Sequence, residues 1–312
     1  MRVGLDVGGT KTDAVAVDAA GRVWARVRLA TGWGPIGVVQ TIADAVDALV
    51  GAGVDRDAIG SVGVGMPGQV QPGSTHVLHA VNLGIADLDL GVAVERRLGV
   101  PVGVENDVKA AALGADALRG GTDRAGTLAY LNLGTGIAAG IVRDGALWRG
   151  RHGTAGEVGH IAVDPHGPAC TCGQQGCIEA LAGGAAIARR WGRAAPLPVV
   201  DVLDAADRGD ARAAMLRAEL MMGVAAAVRI LVLTADVDVV VIGGGLSGLG
   251  DRLMRGVVAE LEASAEASAF MRSLRLGERV QLLPVGSPAA ALGAALVGAT
   301  RDRDTRETVI HG

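Results

Sequence analysis

The sequence contains one plan of strands and turns twice, and this repetition limits the possible folds more than any other feature. LDVGGTKTDAVAVDAAGRVWA begins at Leu5, and LNLGTGIAAGIVRDGALWRG begins at Leu131. Each stretch has a strand that ends in a polar residue (Asp6 or Asn132), a turn of glycine and threonine, an alternating strand and a second turn. We interpret the pair as an internal duplication, in which two domains open with the same β-meander.

Between and after these meanders, segments with helical periodicity alternate with short apolar strands. A helical pattern over 36–50 precedes a buried strand over 59–66. Later, a long helix over 211–233 is followed by the strand VDVVVIG, a helix over 253–265, the strand VQLLPV and a final helix over 288–300. The alternation predicts the α/β class, and a chain of 312 residues is long enough for about two domains.

Charge and hydropathy exclude several classes of protein. The net charge is −4, so the chain offers no basic surface for nucleic acid and no polybasic membrane anchor. The sequence reaches Asp6 without the apolar run of a signal peptide. The most apolar stretch, 221–245, contains Arg229, Asp236 and Asp238 and is too charged for a bilayer span. We therefore expect a cytoplasmic protein with reduced thiols and with neither a nucleic-acid nor a membrane partner.

The two glycine turns, DVGGTKT and NLGTGI, have residues that suit phosphate binding. Their glycines permit positive φ and leave room for a phosphate beside backbone N–H groups. Thr10 and Thr135 add hydroxyl donors, and Lys11 adds a positive charge. Either turn alone fits an ordinary hairpin, whereas the pair could hold one polyphosphate from two sides. Because strands follow both turns, neither is a P-loop or a Rossmann turn.

A third glycine motif nominally fits a dinucleotide fingerprint. Gly243, Gly245 and Gly248 spell GxGxxG after a predicted strand. A Rossmann unit also needs an acidic residue about 20 positions later, at the end of a second strand. That region, GVVAELEASAEA, has a helical pattern instead. The motif therefore favours a strand-to-helix turn, or a flat glycine surface that accepts adenine or ribose.

Several polar residues have the spacing of a ligand site. VENDVKAA places Asn106 and Asp107 where a strand enters a helix. Asp107 is at a natural N-cap position. It is also a candidate general base, with Asn106 positioning the ligand. Glu157 and His160 are three residues apart and share one face if their segment is helical. Together with Glu179, these groups suit a ligand with many hydroxyls, although each alone fits a surface or capping residue.

All three cysteines lie in one short loop, as Cys170, Cys172 and Cys177. A disulfide is disfavoured by the odd count, the reducing compartment and the poor geometry of a bridge between residues two apart. A catalytic thiol would need only one cysteine. A structural zinc ion with three thiolates and one histidine fits the spacing, and either His160 or His166 could be the fourth ligand.

Four motifs together resemble the ROK family (repressor, open reading frame, kinase) of bacterial sugar kinases and repressors, within the actin/hexokinase superfamily. They are DVGGTKT, VENDVKAAALG, LNLGTGI and GEVGHIAVDPHGPACTCGQQGCIEA, and the resemblance extends from Val3 to about Gly298. It implies a two-lobed, ribonuclease-H-like α/β fold with ATP and sugar in the cleft between the lobes. The implied small lobe covers 1–107, with a C-terminal helix over about 298–312 packed back on it. The implied large lobe covers 108–297 and carries the zinc loop and the nucleotide site.

The resemblance also implies roles for single residues. The first phosphate turn would consist of Asp6, Gly8, Gly9, Thr10 and Lys11. The second would consist of Gly134, Thr135 and Gly136, and adenosine would lie at Gly243, Gly244 and Gly245. The sugar site would comprise Gly68, Asn82, Asn106, Asp107, Glu157, His160 and Glu179, with Asp107 as the catalytic base. The zinc ligands would be His160, Cys170, Cys172 and Cys177, which leaves His166 as a bystander.

By resemblance, the expected activity is ATP- and Mg²⁺-dependent phosphorylation of a hexose, with glucose at O6 as the first candidate. Kinases of N-acetylglucosamine, N-acetylmannosamine or fructose are alternatives, and a catalytically silent sugar sensor is a further one. Family repressors carry a winged helix-turn-helix before the first phosphate turn; here that turn begins near Gly4, which favours the kinase. We also expect a homodimer or homotetramer. The sequence departs from the family where GIAD follows Leu83, because a Pro-Gly-Trp-like segment is frequent there.

Overall fold

The computed structural model describes residues 1–120 and 126–298. Its strands are β1 (Arg2–Val7), β2 (Lys11–Val17), β3 (Val23–Ala30), β4 (Ser61–Met66), β5 (Gln69–Val70), β6 (His76–Ala80), β7 (Ile85–Asp89), β8 (Val102–Asn106), β9 (Thr127–Leu133), β10 (Ile137–Arg143), β11 (Ala146–Leu147), β12 (Val239–Gly243) and β13 (Val280–Leu282). Its helices are α1 (Gly34–Gly51), α2 (Leu90–Leu98), α3 (Asp107–Leu118), α4 (Ile178–Ala182), α5 (Gly184–Trp191), α6 (Pro198–Asp207), α7 (Ala211–Ala235), α8 (Asp251–Ala265), α9 (Ala269–Ser273) and α10 (Ala289–Gly298).

Two five-stranded sheets share one topology. The first has the order β3-β2-β1-β4-β8, and the second has the order β11-β10-β9-β12-β13. In the first sheet, β1 pairs antiparallel with β2 and parallel with β4, and β4 pairs parallel with β8. In the second sheet, β12 pairs parallel with both β9 and β13. The same order, counted from the start of each repeat, confirms the predicted internal duplication and the α/β class.

A third sheet, β5-β6-β7, was not predicted from the sequence. Its strands contain only two, five and five residues. Pro72 and Gly73 lie between β5 and β6, and a 3-10 turn over Val81–Leu83 separates β6 from β7. Most of their positions are not buried, so these strands lack the continuous apolar run that marks a short buried strand in a sequence. The sheet matters for function because the predicted sugar ligand Asn82 lies in the turn between β6 and β7.

The chain divides into two compact units. Unit 1 covers Met1–Ala125 and Gly140–Ala155 and includes the segment that begins at Pro288. Unit 2 covers Gly126–Ala139 and Gly156–Ser287. The core of unit 1 consists mainly of buried Val, Leu, Ile and Ala side chains from the first sheet, α1 and α2, with further members from β6 and β7. The predicted lobe boundaries stay a prediction, and the helix predicted over 298–312 lies, apart from its first residue, outside the described residues.

The longest helix, α7, belongs to the core of unit 2. In the part of the chain that the structure describes, it is the helix that is long and apolar enough to cross a membrane by length and composition. Of its most apolar window, 56% is buried, and α7 packs against α4, α6 and α8. Burial of this kind is typical of a core helix. A buried core helix can have the same length and composition as a membrane-spanning helix.

Candidate functional site

In unit 1, the first glycine turn joins β1 to β2 as a tight hairpin. Gly8 donates its N–H to the carbonyl oxygen of Lys11 over 3.0 Å, and Thr10 and Lys11 are exposed at the tip. The predicted use of positive φ is wrong for this turn, because neither Gly8 nor Gly9 has a positive φ. Glycine is needed at position 9 for a close approach: a Cβ there would lie 2.9 Å from the carbonyl oxygen of Asn82. The predicted phosphate turn and the turn with Asn82 are therefore in contact.

Asp6 lies near the end of β1, directly opposite Asp13 on β2. Desolvation raises the pKa of Asp6 to about 7, and the negative charges of Asp107 and Asp13 contribute to the rise. The positive charges of Lys11 and Arg26 oppose it. A carboxylate that is disfavoured by burial and by like charges gains most from a bound cation, which removes both penalties. A cation bound beside Asp6 would therefore stabilise its charged form.

The end of β8 and the start of α3 carry the predicted base. Asn106 is the N-cap of α3, because its Oδ1 accepts the N–H of Val108 at 3.1 Å. The cap predicted one residue later, at Asp107, is wrong: two adjacent residues are both good caps, and only the backbone geometry decides between them. Nδ2 of Asn106 donates to the carbonyl oxygen of Gly68 over 3.2 Å. Asp107 is thereby left as the first residue of the helix, near Asp6.

A buried ion pair directly before these residues was missed by the sequence analysis. Glu105 is 4% exposed, and its Oε2 accepts a hydrogen bond from Nε of Arg149 at 2.6 Å. Its Oε1 accepts the N–H of Asn106 at 2.9 Å. Arg149 follows β11 and is 44 positions away in sequence, so no local pattern connects the two. The pair stabilises the backbone that presents Asn106 and Asp107.

In unit 2, the second glycine turn lies between β9 and β10 and contacts the start of α5. The carbonyl oxygens of Gly134 and Thr135 accept the N–H groups of Gly184 and Ala185 at 2.9 and 3.0 Å. Neither glycine of this turn has a positive φ, so the predicted use of positive φ is wrong here as well. The two hydrogen bonds to α5 fix the position of the turn within unit 2.

The carboxylate of Glu179 lies beside this second turn. Its Oε2 accepts the N–H of Ile137 at 2.9 Å, and a Cβ on Gly136 would collide with the same oxygen. Glu179 lies in the first turn of α4, directly after the cysteine loop. The predicted sugar ligand therefore also anchors the predicted phosphate turn, a link that the sequence did not indicate.

The glycines after β12 lie along β9. Gly243 pairs with Asn132 and lies against the ring of Tyr130, so a side chain there would collide with the ring. Gly244 has a φ of +83° and lies against Leu133, whereas a Cβ on Gly245 would have open space. A 3-10 turn and then α8 follow, which confirms the helix predicted in place of a second Rossmann strand.

Glu157 and His160 flank a 3-10 turn over Val158–His160. The N–H of His160 donates to the carbonyl oxygen of Glu157 over 3.2 Å. In a 3-10 helix the side chains of residues i and i+3 eclipse each other. Glu157 is the N-cap of this turn, with a φ of −72° and a ψ of 45°, so the shared face of the two side chains stays a prediction.

The cysteine loop brings four metal-ligating side chains together. The ligand atoms of His160, Cys170, Cys172 and Cys177 all lie within 4.8 Å of one another. The Sγ atoms of Cys172 and Cys177 are 3.7 Å apart, and Nδ1 of His160 is 3.9 Å from Sγ of Cys170. Tetrahedral zinc with Zn–S bonds of about 2.3 Å separates its sulfurs by about 3.8 Å, so the four side chains fit structural zinc. His166 lies outside the cluster.

The pKa values of Cys172 and Cys177 are shifted in opposite directions. Hydrogen bonds from the backbone and side chain of Gln174 lower the pKa of Cys172 to about 6, and Cys172 is exposed. Burial raises the pKa of Cys177 to about 12, with further contributions from the neighbouring cysteines. A bound cation would stabilise both as thiolates. Cys172 is therefore the thiol that ionises more easily, whereas Cys177 would lose its proton when a metal binds.

The comparisons with known proteins agree with these motifs. A family model described as "ROK family" matches residues 2–300. The chain is similar to a glucokinase of Halalkalibacterium halodurans, with 32% identity over 93% of this chain and 92% of that protein. It is also similar to an N-acetylmannosamine kinase of Yersinia pseudotuberculosis, with 32% identity over 82% of this chain and 86% of that protein. Among solved structures, a ROK family glucokinase from Streptomyces griseus in complex with glucose and AMPPNP matches with a TM-score of 0.74 and 32% identity, over 96% of this chain and 99% of that one.

Proposed function

The chain belongs to the ROK family, and from that premise we propose that it is a sugar kinase that transfers the γ-phosphoryl group of ATP to a hexose. The mixed α/β fold of the actin/hexokinase type, expected from the sequence, is that of ROK glucokinase structures. Glucose at O6 is the first candidate substrate, supported by similarity to glucokinases. The cytoplasmic location, the lack of nucleic-acid and membrane partners and the homodimer or homotetramer stay predictions.

The observation that carries the mechanism is that Asn106, not Asp107, caps α3. Asp107 is thus the first helical residue, at the carboxyl end of a parallel strand, where α/β proteins bind ligands. In the proposed reaction its carboxylate accepts the proton of the attacking sugar hydroxyl. A positioned base of this kind typically contributes about 10²–10⁴-fold to the rate.

Positioning and charge neutralisation would supply the rest of the rate, as in other phosphoryl transfers. Asp6 would hold Mg²⁺, which when bound neutralises charge on the transferring phosphoryl group. The exposed Thr10 and Lys11 would contact phosphate in unit 1, and Thr135 would do so in unit 2. Gly243–Gly245 would accept adenosine, since the space beside Gly245 is open.

The proposed sugar ligands are Gly68, Asn82, Asn106, Asp107, Glu157, His160 and Glu179. Structural zinc would fix the unit 2 members of this set, because His160 is itself a zinc ligand and Glu157 and Glu179 flank the loop. With Nδ1 of His160 directed at the metal cluster, its Nε2 would be the atom that contacts a sugar hydroxyl.

Exchange of Asp107 for asparagine tests the proposal directly. We expect Asp107→Asn to lose about 10²–10⁴-fold in kcat while the Kd for glucose stays nearly unchanged, because the amide keeps the shape but cannot accept the proton. Turnover is measured by coupled ADP release, and sugar binding by calorimetry. Asp44→Asn, an exposed change on α1, is the matched control. Near-native turnover in Asp107→Asn would show that another group is the base.

An aminosugar kinase is the second candidate, favoured by the similarity to an N-acetylmannosamine kinase at the same identity. A panel of glucose, fructose, N-acetylglucosamine and N-acetylmannosamine in the same assay ranks the substrates. Sugar binding without ADP release for every member of the panel would favour the silent sensor over either kinase.

A further inference from the structure

An exposed tryptophan occupies a helix N-cap, where a side chain that accepts a hydrogen bond is usual. Trp33 precedes α1, makes no side-chain capping bond, and is 71% exposed. Ser, Thr, Asp and Asn are preferred at this position because their oxygen accepts an unpaired N–H, which an indole cannot do. A residue that departs from a local preference in this way is expected where its side chain has another structural or functional role.

The indole of Trp33 lies against Gly84. A Cβ on Gly84 would lie 2.6 Å from Cε2 and 2.7 Å from Nε1 of Trp33. Gly84 has a φ of +68° and ends the 3-10 turn Val81–Leu83, which carries the exposed Asn82. Glycine has more conformational freedom than any other residue, so contact with a rigid ring restricts the turn where it is otherwise most free.

The segment that carries this indole is itself held on two sides. Gly32 donates its N–H to Oγ1 of Thr41 on α1 over 2.9 Å. Thr31 donates its N–H to the carbonyl oxygen of Thr10 over 3.2 Å, and the hydroxyls of Thr31 and Thr12 are 2.8 Å apart. The segment that carries Trp33 is therefore hydrogen-bonded both to α1 and to the phosphate turn.

We propose that Trp33 is a positioning residue for sugar binding, which holds the turn of Asn82 in the place from which Asn82 contacts a sugar hydroxyl. The phosphate turn supports the turn of Asn82 from one direction through Gly9, and Trp33 restricts it at Gly84. This inference rests on the proposed function, in which Asn82 is a sugar ligand.

Steady-state kinetics of Trp33→Ala test the proposal. We expect KM for the best sugar of the panel to rise about tenfold, which is the loss of one well-placed hydrogen bond. KM for ATP and kcat stay within about twofold, because the change weakens sugar binding equally in the ground state and in the transition state. Trp33→Phe, which keeps a ring beside Gly84, raises the sugar KM less. Trp24→Ala is the control, since Trp24 is 68% exposed on β3 of the same unit.

A double-mutant cycle separates positioning from a general effect on stability. If Trp33 acts through Asn82, then Trp33→Ala causes no further rise in the sugar KM when Asn82 is already alanine. A tenfold rise in both backgrounds, an equal rise in KM for ATP, or an unchanged sugar KM in Trp33→Ala would overturn the proposal. If the wild-type protein binds sugar without phosphorylating it, the proposed function fails, and the same cycle on calorimetric Kd values still tests Trp33.

Discussion

Replacement of Arg149 by alanine tests how far the end of β8 depends on one ion pair. Nε of Arg149 is 2.6 Å from Oε2 of Glu105, and the side chains are 36% and 6% exposed. Removal of one partner of a buried pair costs about 3–5 kcal/mol, because the other charge stays buried without compensation. Water reaches part of the Arg149 guanidinium, so we expect Arg149→Ala to lower the free energy of unfolding by about 2–4 kcal/mol.

Urea unfolding, followed by tryptophan fluorescence, measures this difference. Arg143→Ala is the matched control, because Nε of Arg143 is 3.8 Å from Asp144 and both side chains are largely exposed. The control should lose less than about 0.5 kcal/mol. Arg149→Lys should fall between the two, since it keeps the charge but loses the planar donor geometry.

The double variant Glu105→Gln with Arg149→Ala identifies the cause. A neutral amide at position 105 removes the buried charge, so the double variant should be more stable than Arg149→Ala alone. The reasoning is refuted if Arg149→Ala is no less stable than Arg143→Ala, or if the neutral amide recovers nothing.

Three further predictions concern the candidate sites. Gly136→Ala should lower the free energy of unfolding by about 1–3 kcal/mol, because the new Cβ collides with Glu179. Gly248→Ala is the control and should change this free energy little, because nothing lies within 4 Å of its new Cβ. Denaturant unfolding of both variants measures the difference. A chelator that removes metal from the cysteine cluster should lower the Tm, and Zn²⁺ but not Mg²⁺ should restore it; metal analysis that finds no zinc in active protein would contradict this. Asp6→Asn should be more stable than the wild type above about pH 7, because a folded pKa raised from 3.8 to about 7 makes the wild type lose stability as the pH rises from about 4 to about 7. Unfolding in Mg²⁺-free buffer between about pH 4 and pH 8 measures the difference, and parallel profiles of the two proteins between about pH 4 and pH 7 would contradict it.

Much of the fold could be predicted because the relevant signals are local. Alternating residues around DVGGTKT specify two strands and a tight turn, and β1 and β2 follow that pattern. The spacing of the three cysteines by itself restricts the possible ligand sets. The sheet β5-β6-β7 could not be predicted, because most positions of its strands are not buried and they lack the continuous apolar run that reveals β12, a strand of five buried residues.

In the candidate sites, too, some features have a local sequence pattern and others depend on packing. The sequence by itself determined which chemical groups are available: the two glycine turns, the Asn106–Asp107 pair and one loop with every thiol. Only the tertiary structure decided how these groups are used, because contacts between residues distant in sequence leave no local pattern. It assigned the cap to Asn106 and paired Glu105 with Arg149. It also brought His160 to the three cysteines, a choice that the spacing left open and that the family resemblance implied. It also placed Glu179 against Gly136 and Trp33 against Gly84, since a close approach between two segments depends on how the chain packs and not on either segment alone.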